Sequence, residues 1–99
     1  MDPKPLVFED FSDKVGQSFA VLGLGDVELN LTLDEAEPLP DRGQPSSRPS
    51  FSLVFVGRPD LLLAQQIHRL EHADLGEVAI FLTPIGRNDQ RISYEAVFN

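Results

Sequence analysis

Five consecutive residues carry the densest chemistry in this chain: His68-Arg69-Leu70-Glu71-His72. By letters they match H-x-x-E-H, the inverted zinc-peptidase motif. That chemistry needs both imidazoles on one helix face, one turn apart, with a third ligand from elsewhere. On a strand the two histidines would stand about 13 Å apart, too far to share one metal. A chain of 99 residues also lacks the second half of such a peptidase. The bland reading is a polar strand face with Glu71 pairing a neighbouring arginine. A metal-dependent hydrolase using His68, Glu71 and His72 is therefore the remotest of the functions considered.

Other constellations fare no better. A Ser-His-Asp triad would have to use His68 or His72, and no G-x-S-x-G stretch exists to hold a serine. Gly23-Leu24-Gly25 lies between two strand patterns, so it reads as a turn and not a phosphate cradle. Glu28, Asp34, Glu35 and Glu37 are acidic, but their spacing fits no EF-hand loop. There are no cysteines, which removes disulfides, thiolate metal sites and a thiol nucleophile. No catalytic residue, cofactor or metal is expected.

Charge narrows the partners. Sixteen acidic against eight basic residues give a net charge of −8, and the arginines are scattered. Nucleic acid and anionic membranes would be repelled. A basic protein would be attracted. The opening MDPKPLVFED lacks the uninterrupted apolar core of a signal peptide. The expectation is a cytoplasmic chain, unless it is exported or assembled with a tail-like fibre by a dedicated apparatus.

Residues 67–84 organise the architecture, as two strands folded back at Asp74-Leu75-Gly76. In the second, Val78, Ile80 and Leu82 alternate with Ala79, Phe81 and Thr83, the period of a strand with apolar weight on both faces. Ahead of it, Phe8, Phe11 and Val15 recur at helical spacing, predicting a short helix of about two turns with Gly16 at its left-handed cap. Residues 18–22 predict a first strand, with Phe19 and Val21 facing one way. Val27, Leu29, Leu31 and Leu33 predict a second, core on one face and water on the other. Residues 36–49 hold four prolines, a glycine and two serines and read as a long surface loop.

Phe51, Leu53 and Phe55 alternate with Ser52, Val54 and Val56 in a third strand. Residues 60–72 favour a helix when taken alone, because Leu63, Ile67 and Leu70 share a face. The rival reading is a strand from Ile67, preceded by a helical turn over Leu61 to Ala64. Residues 85–90 read as a polar loop. Ile92, Tyr94, Ala96 and Phe98 mark a last strand, with Ser93, Glu95 and Val97 on its other face.

The segments 8–19, 51–60, 69–77, 80–86 and 94–99 carry a resemblance. FEDFSDKVGQSF, FSLVFVGRPD, RLEHADLGE, IFLTPIG and YEAVFN together resemble a family of small bacterial domains of unknown function. Its members are often encoded beside phage-tail-collar (microcystin-dependent-protein-like) genes. In that family's pattern, Pro and Gly stand where this chain has Ala64 and Gln66, and Tyr stands where it has His68. Pro and Gly would spoil a helix, so the resemblance decides for the strand from Ile67. It implies no activity, only a small β-domain working with fibre or tail-derived assemblies.

The reading is a single domain, 1–99, of all-β class. It is a small barrel or two-layer sandwich of about six mainly antiparallel strands with a short N-terminal helix. The expected function is a non-enzymatic binding or assembly module, accessory to a tail-collar or fibre protein or self-associating. The alternative is an acidic inhibitor, immunity or chaperone-like protein. Val54, Val56, Ala79 and Phe81 are the candidate partner-binding residues. A small barrel buries only one face of each strand, and a short helix leaves part of the outer face bare. Their exposure requires that residues 60–66 do not close over them.

Overall fold

The computed structural model describes residues 6–39 and 50–98. Six antiparallel strands close a barrel in the order β1-β2-β3-β6-β5-β4. They are β1 (Ser18–Val21), β2 (Asn30–Pro38), β3 (Phe51–Gly57), β4 (Gln66–His72), β5 (Gly76–Arg87) and β6 (Ile92–Phe98), preceded by α1 (Glu9–Ser12). The barrel is two three-stranded meanders, β1-β2-β3 and β4-β5-β6, joined through residues 58–65. Two pairings close it: β3 on β6, and β1 on β4.

The interior follows from alternation. Phe19 and Val21, Leu31 and Leu33, Phe51, Leu53 and Phe55, Leu70, Val78, Ile80 and Leu82, and Ile92, Tyr94 and Ala96 all turn inward and are buried. Each strand thus gives every second side chain to one shared core. The central hairpin forms where the sequence placed it, with His72 paired to Gly76 across a three-residue turn. Gly76 takes φ +71°, the left-handed region where a side chain is strained.

One end of the barrel is plugged by α1. Phe11 is fully buried, with ring centroids 6.3 Å from Phe19, 6.0 Å from Phe51 and 5.9 Å from Phe98. This corrects two expectations. The helix fills the barrel mouth and does not lie on the outer wall. It is also a single turn, ending at Asp13, so Val15 falls off the apolar face and is exposed. Gly16, at φ +90°, is no helix cap, since its N–H donates to the Leu33 carbonyl at 2.7 Å.

The opposite mouth is covered by the crossover segment. Leu63 is buried there, and its N–H donates to Tyr94 Oη at 3.1 Å, while the Tyr94 hydroxyl donates to the Leu61 carbonyl at 3.4 Å. Residues 61–64 make no helical turn, contrary to the expectation. The phenol oxygen instead holds them across the mouth through its bonds to Leu61 and Leu63.

Strand boundaries shift where ladders end or bulge. β2 begins at Asn30, not Val27, since its ladder with β1 ends at the Ala20–Asn30 pair; Val21 N–H donates one further bond to Leu29 O, and Leu22 N–H, on the other edge of β1, donates to Arg69 O. Val27 is left exposed. At the other end β2 runs on through Ala36, Glu37 and Pro38, residues expected in the loop. A bulge between Leu33 and Glu35 resets the alternation, so Ala36 joins the inward row opposite Leu53. The rest of that expected loop, 40–49, lies outside the described residues. β5 likewise continues to Arg87 through a bulge between Pro84 and Gly86, where a polar loop was expected. Bulges are among the places where a sheet accepts proline.

Candidate functional site

The HRLEH residues do not converge. On β4, His68, Leu70 and His72 point inward, whereas Ile67, Arg69 and Glu71 point outward. Glu71 therefore stands on the opposite face of the strand from both imidazoles. Among the described residues no group of three or more His, Asp or Glu could hold a metal ion.

The expectation of an exposed histidine face is also corrected: His68 is 7 % and His72 4 % exposed. Buried polar groups need partners, and both have them. His68 Nε2 lies 2.7 Å from the Ala64 carbonyl and donates to it. His72 is tied more tightly. Asp74 N–H donates to its Nδ1 at 3.0 Å, so the ring proton sits on Nε2, which donates to Gln17 Oε1 at 2.6 Å. The ring also packs on Phe19, with centroids 4.7 Å apart. His72 fastens the β4–β5 turn to the chain before β1. Nearby, the Lys14 ammonium donates to Asp13 Oδ1 at 2.8 Å, holding that carboxyl below the usual aspartate range and its own pKa above the usual lysine value.

What remains is the outer wall. Ile67 and Phe81 are directly opposite each other on β4 and β5, and they are 64 % and 50 % exposed. Residues 60–66 do not cover them, because Leu63 is drawn into the core instead. Of the two apolar faces of this strand, the structure buries Val78, Ile80 and Leu82 and leaves Ala79 and Phe81 open to solvent. Ala79 is also exposed, opposite Arg69. Continuing the β5–β6 register two residues past Thr83–Glu95 brings Val97, 51 % exposed, level with Phe81.

The four residues named from the sequence are not brought together. Ala79 and Phe81 lie on β5, Val54 and Val56 on β3, and β6 runs between them with Ser93 and Glu95 outward. Val54 and Val56 are only half-buried. Two members of the face, Ile67 and Val97, were missing from the expected set. The signal for Val97 was its alternation with Tyr94 and Ala96, and for Ile67 its alternation with His68 and Leu70.

A family model described as Domain of unknown function (DUF6916) matches residues 6–98. The chain belongs to that family. No curated protein and no solved structure matches it. The resemblance seen in the sequence thus stands at the level of a domain of unknown function, and nothing in the match links DUF6916 to tail-collar genes.

In this DUF6916 domain the outer face of β4 and β5 has three rows. Ile67 faces Phe81, Arg69 faces Ala79, and Glu71 faces Glu77. Arg69 Nη1 lies 3.6 Å from Glu77 Oε2, a solvent-exposed pair. Such a surface can bind, but it offers no nucleophile activated by a base and no pair of groups aimed at a common point.

Proposed function

We propose that this domain is a non-enzymatic protein-binding module that docks its partner on the outer face of β4, β5 and β6. The observation that carries this reading is the Ile67–Phe81 pair, two large apolar side chains directly opposite each other and at least half exposed. Fully burying a side chain of that size is worth roughly 1.5 to 3 kcal/mol, and apolar clusters on soluble domains mark association sites. A fibre or tail-collar protein is the partner that the sequence resemblance implies. Gene neighbourhood is the first check on that identity.

The test is site-specific photo-crosslinking in the native host. A photoreactive phenylalanine analogue at position 81 should give a discrete protein adduct, and the same analogue at position 54, beyond β6, should not. Adducts from neither position, or from 54 alone, would remove this face as the docking site.

A further inference from the structure

We infer that the face takes a cationic, amphipathic segment of a partner protein: an apolar side chain seats on Ile67 and Phe81, and a lysine or arginine reaches Glu71 and Glu77. This inference rests on the binding-module reading and gives the partner its chemistry. Glu71 and Glu77 are cross-strand partners, both exposed. Like charges directly opposite in a sheet oppose each other. The cation that answers them among the described residues is Arg69, which reaches Glu77 from the next row at 3.6 Å. Asp74, in the turn that follows β4, is a separate matter, since its charge acts on the Lys14 ammonium.

The three rows therefore form a gradient along the hairpin, apolar, mixed, then anionic. Two residues of strand separate successive rows, so the apolar and anionic rows lie about 13 Å apart. A partner segment with an apolar anchor and a basic group at that spacing satisfies both ends at once.

Other occupants match poorly. A second copy placed face to face puts acid on acid in one orientation and acid on the apolar row in the other. Two bodies of net charge −8 also repel. Nucleic acid and anionic lipid meet the same repulsion.

The probe is a synthetic twelve-residue peptide with two leucines near one end and two lysines near the other, titrated into the isotopically labelled full chain. The expected result is chemical-shift change confined to residues 67–71, 77–81 and their β6 neighbours. A peptide with glutamate for lysine, or serine for leucine, should bind about tenfold more weakly or worse. The double variant Glu71→Gln/Glu77→Gln should lose about tenfold in affinity and much of the salt dependence, and Phe81→Ser a similar factor without the change in salt dependence. Dispersed spectra of both variants would show that they fold.

Shifts spread over Glu28, Glu35 and Glu37, equal binding of the glutamate peptide, or self-association of the chain through Phe81 would each overturn the inference. No binding of the lysine peptide, alongside a position-81 adduct in the host, would overturn the cationic partner and leave the docking face standing. Absence of both would remove the face itself.

Discussion

At the scale of single residues, the two histidines reverse from surface groups to interior fasteners, and their energetics reverse with them. His72→Ala would remove the bonds to Gln17 Oε1 and the Asp74 N–H and the ring that packs on Phe19. Gln17 and Asp74 are exposed and can turn to water, so the loss is that of the two bonds themselves, about 1 to 3 kcal/mol by urea unfolding. His68→Ala, with one hydrogen bond to Ala64, should cost about half as much. Gly57 is a different kind of constraint, since a Cβ there would stand 2.7 Å from Leu31 Cδ2. Leu31 is fully buried and has little room to yield. Gly57→Ala should therefore lower stability by about 1 to 3 kcal/mol, measured by thermal or urea unfolding.

At the scale of elements, the last strand joins the barrel wall to its plug. Phe98 stacks on Phe51 with centroids 4.5 Å apart and also meets Phe11. Phe98→Ala should cost about 3 kcal/mol and lower the thermal midpoint, whereas an unchanged midpoint would mean the stack contributes nothing. Strands with unbroken alternation, such as β3, β6 and the first half of β5, were legible because the period of two runs through them without interruption. Ends set by bulges were not. The extra residue at Asp34 makes Ala36 look misplaced, and Pro84 with Gly86 looks like a loop although both lie in a ladder. β4 was hardest, because Leu63, Ile67 and Leu70 fit a helix face. The structure sends Leu63 and Leu70 to the core and Ile67 to solvent, which no helical period would do. Of the candidate face, Phe81 and Ala79 were readable from alternation. Their separation from Val54 and Val56 was not, since strand order is a property of closure.

At the scale of the whole molecule, the two closures are unequal. β3 and β6 pair over seven residues, from Phe51–Phe98 to Gly57–Ile92, whereas β1 and β4 share only Ala20–Glu71 and Val21–Leu70. Native-state hydrogen exchange should find the amides of Val21, Leu22 and their β4 neighbours opening before those of β3 and β6. Equal protection on both sides would show that the barrel opens only as a unit. Both closures also join residues far apart in sequence: 71 − 20 = 51 for one, and 98 − 51 = 47 for the other. Refolding should therefore fall in the millisecond-to-second range typical of β-barrels, as measured by stopped-flow fluorescence of Tyr94.

The Phe8–Phe51–Phe98 contacts have a consequence for how this domain can be built into larger objects. The rings of Phe8 and Phe51 are 6.1 Å apart, and those of Phe51 and Phe98 are 4.5 Å apart. The chain therefore enters and leaves the barrel at one mouth, like both ends of a cord drawn through a single eyelet. A host protein could accept the whole domain within one surface loop without being pried apart. Fused that way, the barrel would stand out from its host as a knob, with the Ile67–Phe81 face on its flank.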